Sequence, residues 1–315
     1  MTRYLVKRVI SSIIVIWVVA TLVFFMLRAV PGDPLRAMLA DVDPAAAEVL
    51  RAKYGLDRPV YVQYALWFFR VLQGDLGNSI YGSNVAVSQV IAEAFPRTLA
   101  LAGLAFPIAL TLAITAGIVS AVKRQSWLDH SFTIAAFLGL SMPDFWLGIL
   151  LIIVFAVQLH WLPAIGYVPL SKGFWPWFSH LILPAIAAGT SFSAIIARMT
   201  RSAMLEVLNA DYIRTARAKG LRERVVIFTH ALRNALIPVV TVMGIAFALL
   251  MSGTVIVENV FAIQGLGRVL IQGILNRDYP VVQGAILVVS AIFVFTNLLV
   301  DILYTVIDPR IRYEE

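Results

Sequence analysis

Six long runs of apolar residues alternate with polar segments along the chain, and each run is long enough to cross a bilayer as a helix. A helix that rises about 1.5 Å per residue needs about 20 apolar residues to cross a hydrocarbon core of about 30 Å. Prolines, glycines and charged residues cluster between the runs, as is typical of connections. The sequence therefore predicts an all-α membrane protein with six transmembrane helices, at residues 9–29, 98–122, 131–159, 180–205, 234–257 and 281–307.

The composition favours a membrane protein over a soluble enzyme. Of the 315 residues, 60% are hydrophobic and 14% are charged, whereas about a quarter of an average soluble domain is charged. The mean hydropathy of +0.87 excludes a disordered chain. The chain has no cysteine, which excludes a disulfide framework, a cysteine-ligated zinc site and an iron–sulfur cluster.

The positions of lysine and arginine predict the orientation in the membrane. If both termini are cytoplasmic, the cytoplasmic segments hold most of the basic residues, including eight between Arg198 and Arg233. The two shorter outer loops hold only Lys172, Arg268 and Arg277. Basic residues in the long outer loop count little, because long loops are translocated largely regardless of charge. The net charge of +7 is thus a topology signal, and nucleic acid is not a predicted partner.

The outer segments are expected to be partly helical. Within residues 31–97, Asp43-Pro44 precedes a predicted short helix at 45–54, and five aromatic residues between 59 and 72 predict a helix at the membrane interface. A third short helix is predicted at 85–94. Residues 258–280 contain three glycines and are expected to form a re-entrant turn or cap.

The spans contain few ionisable groups, which are costly at mid-membrane depth and functional by default. Asp144 follows Pro143 inside the third span, where it is expected to cap a backbone break or to pair with another subunit; a direct substrate contact is the alternative. The four histidines show no metal-ligand spacing. A stripe of small residues on the fourth span predicts a closely packed partner helix, possibly from another chain. The stripe consists of Ala185, Gly189, Ser193 and Ala197.

The cytoplasmic segment between the fourth and fifth spans carries the strongest signal. Asn209 or Asp211 can cap a short helix, and Gly220 supplies a left-handed stop. A new helix is expected to begin near Arg222 and to run into the fifth span. The tip of the segment is expected to expose apolar and basic residues together. They are Tyr212, Ile213, Ala216 and Leu221 with Arg214, Arg217 and Lys219. Either the segment only sets the topology, or it docks a partner that covers the apolar residues.

Residues 211–220 and 234–238 resemble the EAA loop of type I ABC importer permeases, although the literal Glu-Ala-Ala is absent and Ala210-Asp211-Tyr212 stands near its place. Further matching motifs cover nearly the whole chain. These motifs are residues 3–4, 31–34, 54–59, 74–77, 96–99, 161–163, 265–267 and 308–310. On these residues the chain is similar to the first permease subunit of dipeptide/oligopeptide/nickel ABC importers.

The resemblance implies the type I ABC importer permease fold in a bacterial inner membrane, with cytoplasmic termini. It divides the chain into a first helix with an outer loop (1–94), a five-helix core (95–307) with a coupling loop at 206–233, and a cytoplasmic tail (308–315). It implies a coupling helix that docks on an ATPase subunit. The implied docking residues are Asp211, Tyr212, Ile213, Thr215, Ala216, Arg217, Ala218, Lys219, Gly220 and Leu221.

The implied partners are a second homologous permease, two ATPase subunits, an extracytoplasmic solute-binding protein and membrane lipid. The sequence contains no Gly-x-x-x-x-Gly-Lys-Ser/Thr motif, so ATP and Mg are expected on the ATPase partners and the chain itself is not expected to be an enzyme. The cargo is expected to be a peptide or a related small solute. Spans two to six are expected to face the second permease, and residues 31–97 and 258–280 to receive the binding protein.

Five residues are predicted to line the translocation pathway: Ser141, Met142, Asp144, Ser252 and Thr254. Two other classes of protein are alternatives to the importer subunit as an interpretation of this sequence. An ion-coupled carrier is expected to show an internal repeat and mid-membrane charges, and an intramembrane hydrolase needs a nucleophile with a base or a metal. The sequence shows no convincing repeat, few such charges and no telling nucleophile pair, so the importer subunit is favoured.

Overall fold

The computed structural model describes residues 2–30, 52, 55–81 and 85–307. Within these residues, five helices are long and apolar enough to cross a membrane, and a bent pair of helices provides a sixth crossing. The prediction of six transmembrane helices is thus confirmed. The predicted helix at 45–54, apart from residue 52, and the tail at 308–315 lie outside the described residues.

Eleven α-helices of six or more residues lie in the described part of the chain, with a single α-helical turn at Glu223–Val225 and a 3-10 turn at Leu170–Lys172. Two short π-helical stretches adjoin these helices. One, Ile152–Gln158, continues the helix that begins at Asp144, and the other, Val226–Ala231, precedes the helix that begins at Leu232. The eleven helices are α1 (Thr2–Ala29), α2 (Val60–Leu72), α3 (Val87–Val122), α4 (Trp127–Ser141), α5 (Asp144–Leu151), α6 (Phe174–Leu208), α7 (Asp211–Ala218), α8 (Leu232–Gly253), α9 (Val255–Val260), α10 (Leu266–Leu275) and α11 (Tyr279–Ile307).

The third crossing is broken. Helix α4 ends at Ser141, and the chain from Asp144 to Gln158 continues at an angle of 105° to it. Met142 and Pro143 between them are extended, with ψ of 123° and 138°. The residue before a proline is disfavoured in the helical conformation, because the proline ring contacts its backbone. The backbone break expected at Pro143 is confirmed.

The predicted short helix at 85–94 is wrong as a separate element. Residues from Val87 onward form the outer part of α3, which continues through Pro96 and Pro107 to Val122. Val87 and Ile91 are buried against Leu266 and Val281. These apolar contacts keep the helix continuous at Pro96, which has no backbone N–H to donate. Neighbouring helices support prolines in membrane helices in the same way.

The centre of the molecule is the contact between α3 and α6. A Cβ atom on Gly189 would lie 3.0 Å from the carbonyl oxygen of Ala105, and one on Gly117 would lie 2.6 Å from the Cβ of Thr200. Small residues permit this close approach of two helix backbones. The stripe on the fourth span therefore has the closely packed partner that the sequence predicts. That partner is the second span of the same chain and not a helix of another chain.

Helices α1 and α2 lie at the periphery, next to α11. Most side chains of α1 between Val9 and Met26 face outward, and α2 buries none of its residues. The two helices meet through aromatic side chains: the ring of Phe24 lies 5.2 Å from the rings of both Tyr64 and Trp67. Tyr64 also accepts a hydrogen bond from the indole nitrogen of Trp17, at 3.1 Å. The helix predicted at 59–72 is confirmed as α2, and its position at the membrane interface stays a prediction.

Candidate docking loop, membrane cavity and outer knot

A short helix stands where the sequence predicts the docking helix. Helix α7 begins at Asp211, follows an extended Ala210 and ends at Ala218. Gly220 has a φ of +77°, and a Cβ atom there would meet no other atom within 4 Å. The glycine is therefore required by the left-handed backbone and not by crowding. Neither Asn209 nor Asp211 caps the helix through its side chain.

The apolar residues of α7 divide between its two faces. Ile213 and Ala216 are buried, and they belong to a core cluster with Met204, Val226 and Ala231. The expectation that these two residues are exposed at the tip is therefore wrong, because one face of the short helix needs an apolar support on the body of the protein. Tyr212 and Leu221 remain exposed.

Two polar contacts connect α7 to the start of the fifth span. The guanidinium of Arg217 donates to both carboxylate oxygens of Glu223, at 2.7 and 3.2 Å. This bidentate contact raises the pKa of Arg217 above its usual value. The amide of Asn234 donates to the hydroxyl of Tyr212 at 2.9 Å. The sequence does not predict the pairing of Glu223 with Arg217, because their separation of six residues matches no helical repeat.

The docking surface is the face of the loop that remains open. It consists of Tyr212, Arg214, Lys219 and Leu221, all of which are exposed. The aromatic ring and the leucine form an apolar centre, and the rim around it holds Arg214 and Lys219 together with the exposed carboxylate of Asp211, which lies 3.6 Å from Arg214. A partner that covers this surface would bury the apolar centre and present acidic groups to the rim.

At the break in the third crossing, Asp144 occupies the first position of α5 and accepts a hydrogen bond from the hydroxyl of Ser191 at 2.5 Å. Ser191 lies on α6 of the same chain, so the partner of Asp144 here is internal. Ser141 and Met142 lie at the same break. Thr254 is buried and donates to Glu258 at 3.2 Å. The structure does not describe the side chain of Ser252, and the pathway assignment of all five residues stays a prediction.

A cavity of about 640 Å³ lies between α3, α4 and α6, toward their cytoplasmic ends. Its wall includes Phe137, Arg198 and Arg201. Arg201 pairs with the buried Asp129 through two hydrogen bonds, at 2.8 and 2.9 Å, and Asp129 also accepts from Ser120. Arg198 carries no such pair among the described residues, and its guanidinium lies 5.6 Å from the ring centre of Phe137.

On the outer side, a buried carboxylate organises the segment that the sequence predicts as a re-entrant turn or cap. Glu258 accepts hydrogen bonds from the hydroxyl of Thr98 at 2.6 Å and from the backbone nitrogen of Arg268 at 3.1 Å. Thr98 in turn accepts from the nitrogen of Leu266 at 2.8 Å. We call Thr98, Thr254, Glu258 and residues 265–268 the outer knot. Nothing in the sequence around Glu258 predicts this burial, because its partners Thr98 and Arg268 lie on other elements.

A second buried carboxylate joins the long outer loop to the last span. Asp278 accepts from the hydroxyl of Ser79 at 2.5 Å and from the backbone nitrogens of Ile80 and Tyr81 at 3.2 and 3.3 Å. The partners are almost 200 residues apart in the sequence. No local pattern predicts such a contact.

Two family models together match most of the chain. The model described as "Binding-protein-dependent transport system inner membrane component" matches residues 113–313, and the one described as "Binding-prot-dependent transport system membrane comp, N-term" matches residues 1–102. The first match includes α7, Gly220 and all of the outer knot except Thr98. The second match includes Thr98.

Named relatives are similar over their full length. A putative peptide transport system permease protein of Brucella abortus (strain 2308) is 48% identical over 315 residues, which is 100% of both chains. The oligopeptide transport system permease protein AppB of Bacillus subtilis (strain 168) is 41% identical over 99% of this chain and 100% of its own.

A solved structure shares the fold. A chain of the MetNI methionine ABC transporter in an inward-facing conformation matches with a TM-score of 0.59 and 18% identity, over 70% of this chain and 97% of its own. The type I importer fold and the multi-pass inner membrane location, both predicted from the sequence, are confirmed. The chain is a permease of an ABC importer and belongs to the family of binding-protein-dependent transport system inner membrane components.

Proposed function

We propose that this permease forms half of the translocation pathway for peptides, and that a second homologous permease forms the other half. Peptides are proposed as the cargo because full-length relatives at 41–48% identity carry that description. The chain is proposed to contain no catalytic centre of its own. Two partner ATPase subunits bind ATP and Mg, and a solute-binding protein delivers the peptide from outside.

The docking surface carries this proposal. It sits at the cytoplasmic turn between the fourth and fifth crossings, and its buried face is continuous with the core cluster that contains residues of α6 and α8. A force applied to Tyr212 and Leu221 is therefore passed to both crossings through packed side chains. This arrangement suits a helix that receives the motion of an ATPase and moves the membrane helices.

The cavity next to Arg198 is proposed as the cytoplasmic part of the pathway, and the break at Pro143 as its middle part. Extended backbone at membrane depth is tolerated where it lies against protein or a water-filled space. Ser141, Met142 and Asp144 lie at this break. Residues 31–97 and 258–280 are proposed as the platform for the binding protein.

Replacing Gly220 with valine tests the docking surface. A β-branched residue is strained at a φ of +77°, so Gly220→Val is expected to displace Leu221 and to reduce both ATPase co-purification and peptide uptake in proteoliposomes by about tenfold or more. Gly74→Val is the matched control, because Gly74 has a φ of +80° and also has no atom within 4 Å of a Cβ.

The control is expected to keep the ATPase subunits bound, since Gly74 lies on the outer side. Wild-type uptake by Gly220→Val, or equal loss of the ATPase in both variants, would contradict the docking assignment. The mass of the purified assembly tests the second permease, because a transport-competent monomer or homodimer would overturn the two-permease pathway. Cysteines placed at Tyr81 and Gln264 are expected to cross-link to the binding protein, with no native thiol to interfere.

A further inference from the structure

A small pocket on the outer side, away from the cavity described above, is rich in arginine. It has a volume of about 200 Å³ and lies where the outer end of α1, the helix α2 and the start of α11 meet. We call it the arginine pocket and define it by Arg28, Arg58, Arg70, Trp67 and Gln283, all of which line it. Among the residues that the structure describes, its walls include one carboxylate, that of Asp75, which already accepts from the nitrogen of Gly77 at 2.8 Å.

The pocket is held in place by a hydrogen-bonded scaffold. Gln63 accepts from the Nε of Arg28 at 2.9 Å and donates to the carbonyl of Arg58 at 2.8 Å. The guanidinium of Arg28 also lies 3.4 Å from the ring centre of Phe24. One glutamine therefore fixes the side chain of one arginine and the backbone of another.

Three side chains of this pocket, those of Arg58, Arg70 and Gln283, offer hydrogen-bond donors. Arg58 and Arg70 are exposed and form no ion pair with any residue that the structure describes. The side-chain nitrogen of Gln283 is buried and has no hydrogen-bond partner among the described residues. A buried donor without an acceptor is destabilising, and guanidinium groups cannot supply an acceptor. These donors therefore favour a ligand that carries acceptor oxygens and negative charge.

The position of the pocket indicates the source of these oxygens. Three arginines lie together in this pocket, and such a cluster favours an anion as the ligand. Trp67 and Tyr279 line the pocket, and aromatic residues of this kind mark the depth of lipid headgroups. Phe69 and Leu72 on α2 are exposed beside it and offer an apolar surface for acyl chains.

We propose that the arginine pocket binds the phosphate group of an outer-leaflet phospholipid, with Arg58, Arg70 and the amide of Gln283 as donors. A phosphate offers enough oxygens for several separate donors, and Arg binds phosphate with good geometry. The bound lipid would join α1 and α2 to α11 at the edge of the subunit. The same chemistry would accept a soluble phosphate, so the test separates the two sources.

Native mass spectrometry of the purified assembly after delipidation provides the test, with phosphatidylglycerol and inorganic phosphate as probes. The wild type is expected to bind phosphatidylglycerol, and the Arg58→Gln/Arg70→Gln double variant at least about tenfold more weakly, because two charge-assisted hydrogen bonds are lost. Lys172→Gln/Arg268→Gln is the matched control: it removes two outer charges that do not line the pocket, and it is expected to bind as the wild type does.

Failure of millimolar inorganic phosphate to displace the lipid would identify a lipid site, and full displacement would identify a site for soluble phosphate. Equal binding of both probes by the wild type and the Arg58→Gln/Arg70→Gln variant would overturn the proposal. Gln283→Met provides a second test. It is expected to weaken lipid binding several-fold without lowering the melting temperature of the delipidated protein, and a lowered melting temperature would show that the amide already has a partner.

Discussion

The outer knot and the docking loop are both turns that connect membrane helices, but they are stabilised in opposite ways. The outer knot is closed by a fully buried carboxylate with hydroxyl and backbone donors around it. The docking loop rests on two buried apolar residues and on the partly exposed pair of Arg217 and Glu223. Buried charge-assisted hydrogen bonds are costly to break, whereas exposed ion pairs contribute little. The outer end is therefore the fixed end of the subunit, and the cytoplasmic loop can adapt to a partner.

Removal of the carboxylate from the outer knot is expected to have the largest effect. Glu258→Ala leaves Thr98 and the nitrogen of Arg268 without their acceptor in a buried site, so we expect a loss of about 3 kcal/mol in stability. Thermal unfolding followed by tryptophan fluorescence, to which seven tryptophans contribute, measures the change. Glu93→Ala removes an exposed acid from the same side and is expected to stay within about 0.5 kcal/mol. Similar melting temperatures for both variants would refute the fixed-end interpretation.

A smaller loss of stability is expected when a side chain is added to the outer knot and the carboxylate of Glu258 is kept. A Cβ atom on Gly265 would lie 2.4 Å from the carboxyl carbon of Glu258, so Gly265→Ala must displace that side chain, at a cost of about 1–3 kcal/mol. Gly103→Ala is the control, because nothing lies within 4 Å of its Cβ position and alanine is favoured over glycine in a helix. The comparison fails if the two alanine variants unfold at the same temperature.

The smallest effect is expected at the docking loop. A double-mutant cycle with Arg217→Ala and Glu223→Ala is expected to give a coupling energy below about 1 kcal/mol, since both side chains are partly exposed. The coupling is expected to shrink further at high ionic strength, because salt screens exposed charges. A coupling above about 2 kcal/mol that persists in salt would place the loop in the same class as the outer knot.

The six crossings and the position of the docking helix could be predicted because their signals are local. A run of about 20 apolar residues predicts a crossing wherever it occurs, and a glycine after a helical segment predicts a stop such as that at Gly220. The burial of Ile213 and Ala216 is not local. A short helix with apolar residues three positions apart can turn that face toward solvent or toward its own protein, and only the position of Val226 and Ala231 decides between them.

Prolines and carboxylates show the same limit of prediction. Pro96, Pro107, Pro184 and Pro238 all lie inside continuous helices, and Pro143 alone among these five marks a break. Packing of the flanking residues decides the outcome, and packing is a property of the fold. Glu258 and Asp278 could not be assigned for a similar reason, since the partners Thr98 and Ser79 are 160 and 199 residues away.

The break at Pro143 also has a mechanical consequence, because it can act as a hinge between the two halves of the third crossing. The inner arm is Trp127–Ser141 and the outer arm is Asp144–Gln158. The nitrogen of Met142 donates to Leu138, the oxygen of Pro143 accepts from Trp146, and proline has no N–H to donate. A change of angle between the two arms therefore breaks no backbone hydrogen bond. The inner arm is anchored to the fourth crossing by the pair of Asp129 and Arg201.

The outer arm is joined to the fourth crossing next to the break, where Asp144 accepts from Ser191, and farther out it packs against another segment. A Cβ atom on Gly148 would lie 3.0 Å from the ring of Phe261, so this arm packs closely against the segment that leads into the outer knot. The inner arm of this crossing is thus paired with the helix that leads into the cytoplasmic loop, and the outer arm packs against the segment that leads into the outer knot. The subunit can bend in the middle of the membrane while both of its ends keep their contacts.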